Sequence, residues 1–223
     1  MTELRTKHNM RQHSVLQQDV LKRKLYLCTP LLNNMETFVE NCLKGGVGIV
    51  QLRDKSLTDG ELIDASFKIK PICAKFGALF IVNDRPDIAH FVDADGVHVG
   101  QDDISPMTCR KILGASKIIG MSTHSVADFQ SAKVQPVDYL SAGPVVPTPT
   151  KLNRPGTGLD YIKHVSENSD LPWFLTGDVN LNTVKTYISA GARQFVVVRY
   201  LVESKDSYES ARKLMALINQ NIT

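Results

Sequence analysis

Gln51-Leu52-Arg53-Asp54-Lys55 closes a short apolar run with an amide and two cations. Side chains alternate along a strand, so Gln51 and Arg53 share one face and Lys55 follows at its lip. Cations converging at a strand end suit an anionic group such as a phosphate. The same residues also suit an internal ion pair, with Arg53 held by Asp54 or by a neighbouring strand. Two further runs end on carboxylates: Val82-Asn83-Asp84, and Gly96–Gly100 followed by Gln101-Asp102-Asp103. On adjacent strands Asp84 and Asp103 face each other and repel unless something neutralises them. Mg²⁺ held by one or two carboxylates plus substrate phosphate oxygens is the usual solution. Taken singly, each aspartate also reads as a cap, Asp84 for a helix at Arg85-Pro86 and Asp103 for one at Ser105. Their company with Arg53 and Lys55 turns the reading toward a metal.

A third group follows Ala142-Gly143-Pro144, where Val145 to Lys151 supply two more prolines, the hydroxyls of Thr148 and Thr150, and an ammonium. A stiff loop with several donors fits a cradle closing over an anion, and equally a solvated Pro-Thr loop. Ser122 and His124 leave another apolar run; His124 reads first as a rim residue or helix cap, and as a proton-transfer group second. His98 lies mid-strand and reads as a hydrogen-bonded core histidine.

These residues need a scaffold that brings strand ends together. Eight short apolar runs supply it: Lys24–Pro30, Val47–Arg53, Ala78–Asp84, Gly96–Gly100, Lys117–Thr123, Asp138–Pro144, Pro172–Gly177 and Gln194–Tyr200. Each is bounded by Gly, Pro or Asp or by charged residues, as a buried parallel strand should be. Helical patterns lie between them: Thr58–Lys75 with Leu62, Ile63, Phe67 and Ile69 near one face, a segment opened by Ser105-Pro106, and Ser207–Gln220 with Leu214, Leu217 and Ile218. The spacing predicts an α/β fold, a (β/α)₈ TIM barrel over 24–223, with 1–23 as an extra helix or tail. An open doubly wound sheet is the rival, because strand counting alone does not prove closure.

The chain of 223 residues carries 26 Lys and Arg against 23 Asp and Glu, a net charge too mild for a nucleic-acid surface. Six cations against two acids in residues 1–24 place +4 there and leave −1 for the rest. No run approaches the roughly 20 apolar residues of a membrane helix, and residues 1–24 lack the apolar core of a signal peptide. The four cysteines form no C-x-x-C pair and read as reduced, buried thiols. The expectation is a cytoplasmic protein acting on small molecules, without nucleic-acid or membrane partners; a homo-oligomer stays open.

Gln51 to Lys55, Val82 to Arg85, Asp95 to Asp103 and Gly143 to Lys151 together resemble the thiamine-phosphate synthase family, over a stretch from about Leu25 to the final helix. That resemblance implies a closed barrel that joins hydroxymethylpyrimidine diphosphate to hydroxyethylthiazole phosphate, giving thiamine monophosphate and pyrophosphate. It implies that Gln51, Arg53, Lys55, Asn83 and Lys151 bind the diphosphate side with Ser122 close by, and that Lys55, Lys151 and Ser122 assist the leaving group. It further implies that Asp84 and Asp103 hold Mg²⁺, and that Thr148 and Thr150 reach both the diphosphate and the thiazole phosphate. No enzyme nucleophile is required, and no cysteine sits among these motifs.

The departures fall in the last quarter. Gly177 is followed by Asp178 where the family has a second glycine, and Val198 is followed by Arg199. A carboxylate beside a bound dianion is repulsive; Arg199 either pairs with Asp178 or binds the phosphate itself. Two other readings therefore stand beside the synthase. One is a non-catalytic barrel that binds the pyrimidine diphosphate, its thiazole half damaged by Asp178. The other is a relative of the thiazole tautomerase that shares this barrel, although such relatives lose the acidic pair and much of the Thr-Lys loop.

Overall fold

The computed structural model describes residues 15, 17–147 and 155–222. Eight strands lie one inside each apolar run: β1 Leu25–Thr29, β2 Ile49–Leu52, β3 Leu79–Asn83, β4 Gly96–Val99, β5 Ile118–Thr123, β6 Tyr139–Ala142, β7 Trp173–Leu175 and β8 Phe195–Val197. All are parallel and close in chain order. The closing pair aligns Leu25 with Phe195, Tyr26 with Val196 and Leu27 with Val197. An open doubly wound sheet has no such pair, so that rival is excluded.

The alternation of side chains divides the apolar residues into two cores. Leu25, Leu27, Val50, Phe80, Val82 and Ile119 face outward and pack under the helices. Tyr26, Ile49, Ile81, Ile118, Tyr139 and Phe174 face inward and fill the lower barrel. Residues 17–21 are helical, and Val20 from this turn joins the inner core fully buried. Gln194 Nε2 donates to the carbonyls of Val20 and Arg23, each at 2.8 Å, and fastens this segment under the barrel. Residues 1–14 and 16 of the expected extension lie outside the described residues.

Two expectations need correction. The last apolar run does not remain extended to Tyr200: β8 stops at Val197, and Arg199–Val202 forms a single helical turn. Phe67 does not share the buried face of helix Asp59–Lys75, which buries Leu62, Ala65, Ser66, Ile69 and Cys73. At 3.6 residues per turn, Phe67 is rotated well away from Leu62 and Ile69. It is 52% exposed and meets Phe91 edge-on, with centroids 6.1 Å apart.

The helix starts follow their capping chemistry. Thr58 and Glu61 form a capping box on Asp59–Lys75, and Ser105 caps Pro106–Leu113 with proline in its first turn. All four cysteines are buried and reduced. Among the described residues no helix is long and apolar enough to cross a membrane.

Candidate active site

The C-terminal ends of the strands surround a cavity of about 390 Å³. β2 and its following loop send Gln51, Arg53 and Lys55 into it, β3 and the residue after it send Asn83 and Asp84, and the loop after β4 sends Asp103. Ser122 from β5, Gly177 after β7 and Arg199 after β8 complete the predicted residues brought together there. Thr148, Thr150 and Lys151 lie outside the described residues.

The mouth is electrostatically organised. Asp54 does not hold Arg53; its carboxylate accepts from Ser56 N at 3.0 Å and Leu31 N at 3.2 Å, which turns it outward. Among the described residues the Arg53 side chain has no ion pair. Lys55 Nζ stands 3.0 Å from Asp84 Oδ2, and the Asp103 carboxyl lies within hydrogen-bonding reach of Asp84. Asp84 caps nothing: helix Pro86–Phe91 starts at Arg85 without a side-chain cap. Burial pushes the Asp84 carboxyl above its ordinary value, Lys55 pulls it back, and Asp103 pushes it up again. Asp103 is oriented by Gly100 N, which donates to Oδ2 at 2.8 Å. Two carboxylates turned toward one another beside cations form a donor set suited to a hard divalent ion. Among the described residues no three Asp, Glu, His or Cys side chains converge, so such an ion would complete its shell with water and ligand oxygens.

Below the mouth the floor is polar and aromatic. Gln51 Nε2 donates to the Tyr26 hydroxyl, which is 2.9 Å from the Tyr139 hydroxyl. Tyr139 reaches His98 Nδ1 at 3.0 Å, and His98 Nε2 reaches Ser122 Oγ at 2.9 Å. Gly120 makes this possible. A Cβ there would collide with the Tyr139 ring and hydroxyl and come within 2.5 Å of His98 Nδ1. His98 is thus hydrogen-bonded as expected of a core histidine, but it also lines the cavity. His124 stays at the rim, where Nδ1 contacts the Gly143 carbonyl at the start of the proline-rich loop.

On the opposite rim Asp178 takes a left-handed backbone, φ 49°, next to Gly177 at φ 119°. Aspartate tolerates this region better than most residues. Its Oδ1 pairs with Arg199 Nη2 at 3.2 Å, so of the two roles open to Arg199 the structure displays the ion pair.

A family model described as thiamine monophosphate synthase matches residues 25–201, every strand of the barrel. The chain belongs to this family. Over 195 residues it is 41% identical to the thiamine-phosphate synthase of Streptomyces avermitilis, covering 85% of this chain and 91% of that protein. Over 199 residues it is 39% identical to that of Nostoc punctiforme, covering 89% of this chain and 57% of the relative. The chain therefore spans little more than half the length of the cyanobacterial relatives it matches. The thiamine phosphate pyrophosphorylase structure from Pyrococcus furiosus superposes with a TM-score of 0.84 at 27% identity, covering 92% of this chain and 99% of that one. A 3-hexulose-6-phosphate synthase, at TM-score 0.66 and 18% identity, shares the fold.

Within this barrel, several lining residues escape a reading by motif. Tyr26, Cys28, Ser141 and Tyr200 all border the cavity. No cysteine belongs to the motifs, yet Cys28 reaches the cavity from β1, with its Sγ 3.5 Å from Gln51 Oε1. Strand parity held the signal, because Tyr26 and Cys28 alternate on β1 as Gln51 and Arg53 do from β2.

Proposed function

We propose that the chain joins hydroxymethylpyrimidine diphosphate to hydroxyethylthiazole phosphate, releasing pyrophosphate and forming thiamine monophosphate. The observation that carries this reading is the convergence of Arg53, Lys55, Asp84 and Asp103 on one mouth above a polar, aromatic floor. The four buried thiols favour a reducing compartment, which for this protein we take to be the cytoplasm.

In this reaction the pyrimidine methylene C–O bond breaks with its electron pair leaving on pyrophosphate, and the thiazole nitrogen lone pair forms the new C–N bond. The aminopyrimidine delocalises positive charge as the bond opens, so the protein's main task is to hold the departing anion. Arg53 and Lys55 are placed to do this by charge and position, with Asn83 and Ser122 supplying neutral hydrogen bonds. Asp84 and Asp103 would hold Mg²⁺, which supplies charge compensation to the diphosphate when bound. The aromatic floor suits a flat heterocycle, and the opposite rim with Gly177 and Arg199 is left for the thiazole phosphate. Thr148, Thr150 and Lys151 are proposed to close over both anions.

One observation favours a second reading. Asp178 already occupies the cation that a thiazole phosphate would use, which fits a barrel that binds the pyrimidine diphosphate without turnover. Incubating the purified chain with both substrates and Mg²⁺, then detecting products by mass, separates the two. Thiamine monophosphate that disappears with EDTA is expected. No product, with calorimetric binding of the pyrimidine diphosphate intact, would replace the synthase by the binding barrel.

A further inference from the structure

The floor residues form one unbroken hydrogen-bonded chain, Gln51–Tyr26–Tyr139–His98–Ser122, crossing the barrel from β2 to β5. We infer that this chain runs in one direction, fixing His98 as its Nε2–H tautomer and leaving the Ser122 hydroxyl hydrogen to point into the cavity.

The direction follows from the first link. An amide nitrogen only donates, and Cys28 Sγ beside Gln51 Oε1 sets that nitrogen toward Tyr26. The Tyr26 oxygen accepts, so its own hydrogen goes to Tyr139, the other hydroxyl it contacts. Tyr139 in turn donates to His98 Nδ1, which must be unprotonated to accept. Both phenols are fully buried, and burial drives them above their ordinary range, so each keeps a hydrogen to donate along the chain. His98 then carries hydrogen on Nε2 and donates it to Ser122 Oγ. Ser141 donates to the same oxygen at 3.3 Å. With both its lone pairs engaged, Ser122 has a hydrogen to offer a ligand.

With the Gln51 amide reversed, every arrow turns round and Ser122 spends its hydrogen on His98. The two directions therefore predict opposite roles for one hydroxyl. On the proposed function, on which this inference rests, the first direction aims a donor at oxygens that gain negative charge as the C–O bond opens. Tyr26, Tyr139 and His98 are positioning residues that act through Ser122.

The test is the tautomer itself. In the ¹⁵N-labelled full chain near neutral pH, long-range ¹H–¹⁵N spectra distinguish protonated from bare ring nitrogens, and His98 is assigned by its loss in His98→Gln. Protonated Nε2 and bare Nδ1 are expected. Tyr139→Phe removes the donor to Nδ1, so the signals should move toward a mixed tautomer while kcat falls about tenfold with KM nearly unchanged. Tyr26→Phe breaks the chain one link earlier and should shift both readouts the same way by less, which covers a Tyr139 variant that fails to fold. A proton on Nδ1 in the unaltered chain, or unchanged tautomer and kcat in both variants, would overturn the relay. Absence of turnover in the unaltered chain would defeat the proposed reaction instead, and the tautomer would still decide the direction.

Discussion

Lys55 holds its ammonium 3.0 Å from Asp84 Oδ2, tying together the ends of two adjacent strands. The partners are unequal: the lysine side chain is 61% exposed and the aspartate 20%. Solvent screens the cation, while the carboxylate bears the cost of burial and of a second carboxylate beside it, which is why its pKa is raised despite the ion pair.

Asp84→Asn should therefore stabilise the metal-free protein while disabling it. A carboxyl whose folded pKa exceeds its unfolded value near 3.8 favours folding fully only below that pH, and the gain is lost as pH rises through the folded value. At neutral pH the ionised Asp84 works against the fold, and asparagine accepts its φ of 60°. Turnover should fall on the order of 100-fold. Thermal melts at pH 7 should show the variant above the parent without metal, with added Mg²⁺ raising only the parent. Equal Mg²⁺ shifts in both proteins would remove Asp84 from the metal site.

Asp93 predicts the opposite pH behaviour. It bridges Lys70 at 2.8 Å and Lys117, and these two cations hold its carboxyl down to about 2. Its stabilisation is present above the unfolded value of 3.8 and lost as pH falls through about 2. Asp93→Asn should lower Tm by roughly 1–2 °C at pH 7, the scale of a solvent-screened pair. That gap should close between about pH 4 and pH 2, and a pH-independent gap would refute the ionic origin.

Gly120→Ala tests the floor by steric means. The added methyl meets the Tyr139 ring, so the ring must retreat from both Tyr26 and His98. Overpacking of this kind costs roughly 1–3 kcal/mol, or about 3–10 °C in Tm for a chain of this size. Under the proposed reaction the variant should lose kcat together with stability, and the ¹⁵N signals of His98 should shift as they do in Tyr139→Phe. Full activity in a destabilised Gly120→Ala would show that the tyrosine bridge serves folding alone.

Asp178→Gly releases Arg199. Glycine fits the left-handed backbone without strain, and the freed guanidinium no longer has to choose between an intramolecular carboxylate and an incoming phosphate. The KM for thiazole phosphate should fall roughly two- to fivefold with kcat little changed, the range of a half-exposed ion pair. Arg199→Ala should move KM the other way. Identical KM values in Asp178→Gly and the parent would place the thiazole phosphate elsewhere.

The barrel was legible because its strands are buried on both faces, which leaves eight unmistakable apolar runs bounded by punctuating residues. The mouth was legible for a related reason: Gln51, Arg53, Asp84 and Asp103 are polar residues standing where apolar runs end. The floor was not. Tyr26 and Tyr139 sit inside apolar runs and look like core, and their hydroxyls acquire meaning only when strands distant in sequence face one another across the lumen. The Asp178–Arg199 pair was readable as an alternative, since only the three-dimensional closeness of the loops after β7 and β8 decides it. Phe67 was legible too: its spacing from Leu62 and Ile69 turns it off the buried face, while the partner it finds instead, Phe91, lies on a different helix.

The helical turn that carries Val20 has a consequence for traffic. Among the described residues the lumen is stoppered from beneath by Val20 and by the packed rings of Tyr26 and Phe174, a well that opens at the C-terminal ends of the strands. Two molecules that share one entrance must queue. Under the proposed reaction the heterocycle destined for the floor goes in ahead of the one that stays near the rim, and the joined product backs out the way both came.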